Sequence, residues 1–273
     1  MYSTLKILFV GDIVGRLGRR AVVSIIPSIK DEYQLDFIVA NGENIAHGVG
    51  VTQTTVDEVL SSGIDLLTSG NHIFRKASYK DIVEEEDYKV IRPANYPSGV
   101  LGYGYKLLKK NNKKIIVTNL MGRIFFRESL DDPFAKLDEL LANYKEQYKE
   151  DCPPIIVDWH TEATSEKAAL AWYSDGRVSA VLGTHTHVMT ADEKILPHGT
   201  AFISDVGMVG ARDSILGVEK DGPINMMRTQ IPCQFKYPET GIAKFNAVFL
   251  EVDSVSRKTL KIKRIEREVN ITG

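Results

Sequence analysis

The stretch VLGTHTHVMT, residues 181–190, contains two histidines that are separated by one residue. Imidazole is a common metal ligand in proteins. His185 and His187 follow an apolar run and Gly183, and alternate residues of an extended segment point the same way about 6 to 7 Å apart. The spacing therefore predicts that both histidines reach one metal ion or two adjacent ions.

Four other apolar runs are followed by side chains of the same chemical kinds. Taken singly, each group has an ordinary explanation as a turn or as a hydrogen-bonded structural histidine. In an open α/β sheet, however, ligands bind beyond the carboxyl ends of the strands, so we expect all five groups to meet. The four further groups are Gly11-Asp12, Asn41-Gly42-Glu43-Asn44, Ser69-Gly70-Asn71-His72 and Asp158-Trp159-His160.

Together the five groups predict a metal site with oxygen and nitrogen ligands. Carboxylate, amide oxygen and imidazole, without thiolate, favour manganese, iron, zinc or nickel over copper(I) or an iron–sulfur cluster. Seven candidates are too many for one tetrahedral zinc ion and suit two ions that share a bridging carboxylate. Such ions, about 3.5 to 4 Å apart, produce hydroxide at neutral pH and hold the oxygens of a displacement at phosphorus. The candidates are Asp12, Glu43, Asn44, Asn71, His160, His185 and His187.

Alternating strands and helices must position these residues. Short β-branched apolar runs are followed by helical patterns, which predicts an α/β fold with buried strands. Asn111 and Asn112 are predicted to turn a hairpin, and the tail to form two antiparallel strands. Thr164 is a candidate helix cap. DVGMVG, residues 205–210, is either a loop over the site or a segment whose glycines serve only turns. Helices are predicted near residues 19–31, 52–62, 78–86, 132–149 and 165–172.

Length and composition predict one soluble domain over residues 1–273. The 43% hydrophobic content can bury a sizeable core, and no repeat or linker divides the chain. The loop at residues 92–104 is interpreted as lying inside this domain. Because 34 basic residues nearly balance 36 acidic ones, the net charge of −2 gives no long-range field for nucleic acid or an anionic membrane.

Cysteine usage and hydropathy predict a cytoplasmic protein. Cys152 and Cys233, the two cysteines of the chain, are too few for a cysteine-based structural zinc site and are predicted to be free thiols in a reducing compartment. The N-terminal run LKILFV is shorter than the apolar region of a signal peptide. No later apolar run reaches the length of about 18 residues that suggests a membrane span.

Two other enzyme classes are disfavoured by the motifs. Residues 69–72 spell Ser-Gly-Asn-His, but the hydrolases named by these letters take the four residues from separate sequence blocks. No GxSxG elbow is present, which argues against a serine nucleophile. GDIVGRLG, residues 11–18, lacks the glycine spacing of a dinucleotide-binding loop.

The order of the five groups resembles the calcineurin-like metallophosphoesterase superfamily. That superfamily usually has Gly-Asp-x-His and Gly-Asp, whereas this chain has Gly11-Asp12-Ile13-Val14 and Gly42-Glu43-Asn44. These departures, with the sequences of residues 158–193 and 199–210, resemble the YmdB-like bacterial subfamily of 2',3'-cyclic-nucleotide phosphodiesterases. The resemblance covers nearly the whole chain and rests on several motifs.

The resemblance implies a four-layer α/β/β/α sandwich of two mixed β-sheets and a role for each candidate. Glu43 would bridge two metal ions. Asp12, Asn44 and His187 would complete the ligand set of one ion, with Asn44 in place of the histidine that is missing at Val14. Asn71, His160 and His185 would complete the other. His72 would be catalytic, because it matches a residue that stabilises the transition state or protonates the leaving oxygen.

The implied reaction is hydrolysis of 2',3'-cyclic nucleotides and generic phosphodiesters to nucleoside monophosphates by a metal-bridging hydroxide. Iron is the expected metal, with manganese or zinc as alternatives, and the expected partner is a small-molecule substrate. A homo-oligomer is possible. The alternative function is a metal-containing regulatory or scaffold protein that binds a nucleotide or partner with little turnover.

Three further residues have open roles. The family has an acidic residue three positions after the Gly-Asn-His histidine, where this chain has Arg75. Arg75 either binds a phosphate oxygen through a charged hydrogen bond or is exposed to solvent. His47 lines the pocket or faces solvent, and His198 is interpreted as structural.

Overall fold

Two β-sheets face each other in the computed structural model of the protein, which describes residues 4–83 and 87–273. The strands are β1 (Thr4–Val10), β2 (Asp12–Ile13), β3 (Phe37–Asn41), β4 (Leu66–Thr68), β5 (Tyr105–Lys110), β6 (Lys113–Met121), β7 (Ile155–His160), β8 (Ala180–Thr184), β9 (Lys194–Ile195), β10 (Ala201–Ile203), β11 (Met208–Ala211), β12 (Gly241–Asp253) and β13 (Thr259–Ile271). The helices are α1 (Gly15–Tyr33), α2 (Gln53–Leu60), α3 (Tyr79–Val83), α4 (Pro133–Tyr148), α5 (Thr164–Tyr173) and α6 (Asp221–Thr229).

Both sheets are mixed, as expected. The first has the order β2-β11-β12-β1-β3-β4, with β13 paired to β12. Within it β1, β3 and β4 are parallel, and β12 is antiparallel to its partners. The second has the order β5-β6-β7-β8-β10-β9, in which the four inner strands are parallel and both edge strands antiparallel.

The four layers follow from the alternation of side chains along each strand. On β1, Ile7 and Phe9 face the second sheet, where they pack with residues such as Val117. Leu8 and Val10 point to the outer face, which α1 and α2 cover. Helices α4 and α5 cover the outer face of the second sheet. The α/β/β/α sandwich implied by the resemblance is therefore confirmed.

Most predicted elements are present, with shifted ends. Helix α1 starts at Gly15, four residues before the predicted start, because the positive φ of Gly15 (62°) turns the chain into the helix directly after β2. The predicted hairpin is confirmed, since Asn111 and Asn112 both adopt the positive φ that its two-residue turn requires. The tail forms β12 and β13 as predicted. The predicted helix at 78–86 is present as α3, and residues 84–86 lie outside the described residues.

Two local predictions are wrong. Thr164 does not cap α5: it is the first helical residue, Ala163 holds the cap position, and no side-chain cap bond forms. The segment DVGMVG is not a loop over the site, because its second half forms β11, which pairs with β2 and β12. Gly207, with φ 82°, does form a turn, which matches the alternative in which the glycines serve turns.

Three remaining expectations concern the chain as a whole. Within the two described ranges, no helix combines the length and the apolar character needed to cross a membrane. Cys152 and Cys233 are free thiols, as predicted. That residues 1–273 form a single domain stays a prediction.

Candidate metal centre

The polar residues at the carboxyl ends of β1, β3, β4, β7 and β8 meet where the two sheets adjoin. The backbone amide of His185 donates to Asp12 Oδ2 at 3.1 Å, although 173 residues separate the two in sequence. His160 Nε2 lies 3.3 Å from Glu43 Oε1. The predicted convergence of the five strand ends is therefore observed.

One group of donor atoms surrounds the ring of His160, which is fully buried. Its Nε2 lies 3.2 Å from Asn71 Oδ1 and 3.1 Å from His185 Nδ1. Glu43 completes the group, and one ligand atom from each of Glu43, His160 and His185 lies within 4.8 Å of the others. These four residues could hold one metal ion.

A second group lies beside it and contains Asp12, Asn44 and His187. His187 Nε2 is 3.8 Å from Asp12 Oδ1 and 3.2 Å from Asn44 Nδ2. Asp12 is fully buried, and its Oδ1 atom has no hydrogen-bond partner within the described part of the chain. An unpartnered carboxylate oxygen is costly in a buried site unless a cation or proton compensates it. This oxygen fits a metal ligand.

The Glu43 side chain connects the two groups. Its Oε1 atom accepts a hydrogen bond from Asn44 Nδ2 at 3.1 Å and lies 3.3 Å from His160 Nε2. The division into two groups is the one implied by the resemblance. Which of the seven residues bind metal stays a prediction.

The backbone of residues 185–187 is not extended, so the prediction that His185 and His187 lie on an extended segment is wrong. Strand β8 ends at Thr184, and His185 and His187 have φ values of 98° and 65°. Such positive φ values are uncommon for residues with a side chain and mark local strain. The turn sends the His185 ring to the first group and the His187 ring to the second.

Hydrogen bonds fix which nitrogen each of two histidine rings presents. His187 Nδ1 donates to the carbonyl oxygen of Leu216 at 3.0 Å, which leaves Nε2 as the ligand atom. His160 Nδ1 donates to Thr184 Oγ1 at 2.9 Å, and Thr184 in turn donates to Asp158 Oδ1 at 2.7 Å. Asn41 Nδ2 donates to the other oxygen of Asp158 at 3.0 Å. Such outer partners orient metal-binding histidines and raise their basicity.

Burial and close charges shift the pKa values of the site. Burial raises the pKa of Asp12 to about 7, against the opposing effect of the His187 and His160 charges. Burial would also raise the pKa of Glu43, but the charge and hydrogen bond of His160 hold it below its usual range. Burial disfavours the charged form of His160, yet the Glu43 carboxylate raises its pKa to about 9. For His185, burial and the nearby His160 charge lower the pKa to about 3.

His72 adjoins both groups. Its backbone amide donates to Glu43 Oε2 at 3.2 Å, and its Nδ1 donates to Asn44 Oδ1 at 2.8 Å. Its side chain is 29% exposed, so a substrate can reach the ring. Burial lowers the pKa of His72, and the charge of Arg75 contributes to the lowering.

The three residues with open roles lie at the periphery. Arg75 is 55% exposed and forms a long ion pair with Glu128 at 3.9 Å, which matches the solvent-exposed alternative. His47 is exposed and has a φ of 55°. His198 is exposed and binds Asp175 through Nδ1 at 2.9 Å, consistent with a structural role.

Sequence reasoning missed several residues that support the site. Arg19, mostly buried, donates to the carbonyl oxygen of Ile45 and so holds the turn that carries Glu43 and Asn44. Lys167 lies buried behind the His185–His187 turn. Glu162 Oε2 lies 3.1 Å from His185 Nε2, the nitrogen that faces away from the first group. Glu162 is an acidic residue two positions after the candidate ligand His160, and this spacing could have identified it as part of the site.

Gly70 is required by close packing. A Cβ atom there would lie 2.3 Å from Glu43 Oε2 and 2.3 Å from His160 Nε2, closer than any real contact. Any side chain at this position would therefore displace two candidate ligands.

Known proteins resemble this chain over nearly its whole length. The family model described as "YmdB-like protein" matches residues 8–265. A 2',3'-cyclic-nucleotide 2'-phosphodiesterase of Bacillus subtilis (strain 168) is 45% identical over 261 residues, and the match covers 96% of each chain.

Two crystal structures resemble the whole chain. One is a hypothetical protein from Thermus thermophilus, with a TM-score of 0.88 and 40% identity, covering 97% of this chain and 99% of that one. The other is described as a novel phosphatase from Mycoplasma pneumoniae, with a TM-score of 0.90 and 32% identity, covering 99% of this chain and 96% of that one. On the family match and these identities, the chain belongs to the YmdB-like family.

Proposed function

We propose that the chain is a metal-dependent phosphodiesterase that hydrolyses 2',3'-cyclic nucleotides, and other phosphodiesters, to monophosphates. The position of the Glu43 carboxylate between two groups of donor atoms carries this proposal. A carboxylate shared in this way is what a two-metal hydrolytic site needs. The name of the Bacillus subtilis relative supports a cyclic nucleotide as the substrate.

The donor set fits two metal ions, with Glu43 as the shared ligand. Asn71, His160 and His185 would hold one ion, and Asp12, Asn44 and His187 the other. Oxygen and nitrogen donors without thiolate suit iron, with manganese or zinc as alternatives. The unpartnered Oδ1 atom of Asp12 supports the second ion.

Asn44 must change its orientation to serve as a ligand. Its Nδ2 now faces Glu43 and His187, and its Oδ1 faces His72. An amide binds metal through oxygen, so the Asn44 amide would have to rotate by about 180°. A rotated amide would still reach His72, with Nδ2 donating to Nδ1.

When bound, the ions supply an activated water and neutralise the charge that develops on the phosphate. The chain contributes the fixed positions of the ligands and a proton-exchanging group beside them. His72 Nδ1 is occupied by Asn44, so the second ring nitrogen, Nε2, is the one available to the leaving oxygen. Water adds to phosphorus, one ribose ester bond breaks, and the leaving oxygen takes a proton.

Turnover of a 2',3'-cyclic nucleotide tests the proposal. Protein reconstituted with manganese or iron is incubated with the cyclic nucleotide, and the monophosphate is identified by chromatography. We expect His72→Ala to retain its metal and to lose about 100- to 10,000-fold in kcat. His198→Ala, which removes an exposed histidine bonded to Asp175, is the matched control and should keep the wild-type rate.

One outcome would overturn the proposed function, and another would overturn only the role of His72. Metal-loaded wild-type protein that hydrolyses no phosphodiester would favour the regulatory or scaffold function. Equal rates for His72→Ala and wild type would remove His72 from the reaction.

A further inference from the structure

The segment of residues 122–132, which joins β6 to α4, lies against the candidate metal centre. The Phe126 ring centroid is 4.9 Å from that of His185 and 6.2 Å from that of His160. Phe126 therefore covers the side of the first ligand group. Because consecutive Cα atoms are about 3.8 Å apart, Phe125 starts at the rim of the same site.

Phe125 is exposed to solvent, and its backbone has a conformation that is unfavourable for a bulky residue. The residue is 82% exposed, the highest value among the large apolar residues in the described ranges. Its φ is 70°, in the left-handed region, which is a genuine outlier for a bulky residue. Exposed apolar surface and backbone strain both act against stability. Strain of this kind clusters at ligand-binding sites.

The start of the segment is rigidly attached to α5. The Glu166 carboxylate accepts hydrogen bonds from the backbone amides of Arg123 at 3.0 Å and Ile124 at 3.2 Å. It also accepts one from Thr161 Oγ1 at 2.8 Å. With these anchors on one side and Phe126 packed on His185 on the other, the backbone of Phe125 is held at both ends.

We propose that Phe125 forms a nucleobase-binding subsite, in which its exposed ring stacks on the base of the cyclic nucleotide while the phosphate lies at the metal centre. This inference rests on the proposed function. An aromatic ring suits such a role because every base has a π-face, and stacking on a pre-positioned ring loses little conformational freedom. Stacking does not depend on the base edges, so we expect this ring to accept purines and pyrimidines alike.

The test compares two substrates that share the reacting group. One is adenosine 2',3'-cyclic phosphate, and the other is methyl riboside 2',3'-cyclic phosphate, which has the same cyclic diester and no base. In Phe125→Gly we expect KM for the nucleotide to rise about tenfold, the fold-change typical of one lost base stack, with little change in kcat. KM for the base-free substrate should stay within about twofold of wild type, because stacking contributes nothing to it.

Two controls separate stacking from structural damage. Phe125→Tyr keeps an aromatic ring and should retain the wild-type KM for the nucleotide. Trp172→Ala removes another exposed aromatic side chain, 56% exposed at the far end of α5, and should leave both substrates unaffected. Thermal unfolding of Phe125→Gly should occur at or above the wild-type temperature, because glycine tolerates positive φ.

The outcomes distinguish failure of the Phe125 subsite from failure of the proposed function. If wild type hydrolyses both substrates and Phe125→Gly has an unchanged KM for the nucleotide, the subsite is wrong and the function stands. An equal rise in KM for both substrates also overturns the subsite. If wild type hydrolyses neither substrate, the proposed function itself fails, and the subsite with it.

Discussion

Lys167 and Asp205 form a buried ion pair directly behind the turn that carries His185 and His187. Lys167 Nζ lies 2.7 Å from Asp205 Oδ2, and each side chain is 1% exposed. Lys167 also donates to the carbonyl oxygen of Thr184 at 2.8 Å, and Asp205 accepts from the backbone amide of Thr186 at 3.0 Å. The pair thus holds the strained turn from behind, through Thr184 and Thr186 on either side of His185.

Removing the charge of Lys167 should destabilise the fold and loosen the turn. In Lys167→Met, Asp205 stays buried without its cation, so we expect the free energy of unfolding to fall by about 3 to 5 kcal/mol. Metal content should fall as well, because the histidines depend on the turn. Lys244→Met removes an exposed pair with Glu266 (2.9 Å) and should cost less than about 1 kcal/mol. Urea unfolding measures the free energy of unfolding of both variants. Similar decreases in the two variants would contradict this role for Lys167.

The chain from His160 through Thr184 to Asp158 should tune metal affinity. Thr184→Val keeps the side-chain shape but removes the hydroxyl that accepts from His160 Nδ1. We expect metal affinity, measured by competition with a chelator, to fall about 10- to 100-fold. Thr118→Val, which removes a buried hydroxyl bonded to Tyr144, is the control for lost stability without a metal effect. Equal affinities for the two variants would argue against a tuning role.

Metal binding should strengthen as the pH rises. In the metal-free protein the pKa of Asp12 is raised from 3.8 to about 7 and that of His160 from 6.5 to about 9. The stability contributed by these protonated groups is present at low pH and is lost as the pH rises through 7 and 9. A metal ion must displace both protons, so its affinity increases over the same range.

Thermal unfolding with and without manganese measures this linkage. We expect the metal to raise Tm more at pH 8 than at pH 6. A larger increase at pH 6, or the same increase at both pH values, would contradict the assignment of these two groups as ligands.

A methyl group at Gly70 should disrupt the site more than the fold. In Gly70→Ala the new Cβ would overlap Glu43 and His160, so we expect reduced metal content and reduced hydrolysis. Gly222→Ala, where the nearest atom to a new Cβ is Cys233 Sγ at 3.4 Å, is the control and should bind metal normally. Full metal content in Gly70→Ala would show that this close packing is not needed.

The sequence predicts the convergence of the site because its signal is local. Polar residues follow apolar runs, and the carboxyl ends of parallel strands share one edge of a sheet. The two ligand groups lie where the strand ends meet, as at Asp12 and His185. The family resemblance adds the four-layer arrangement, which the alternating elements alone do not specify.

The missed features depend on distant or conformational information. A lysine in a helix is usually exposed, and nothing local indicates that Lys167 meets Asp205, 38 residues later. The positive φ of His185 and Phe125 is not encoded by residue type, since neither is glycine. Thr164 has a residue type that favours capping, but the helix starts one position too early for it to act.

The shared role of Glu43 is the central claim, and the metal content of Glu43→Gln tests it most directly. Metal per chain is measured by emission spectrometry after reconstitution, together with the rate of 2',3'-cyclic-nucleotide hydrolysis. We predict two ions per chain in wild type, fewer in Glu43→Gln, and a rate loss beyond the 10- to 100-fold that is typical of outer partners. A Glu43→Gln protein that holds two ions at full occupancy and hydrolyses at the wild-type rate would contradict the account.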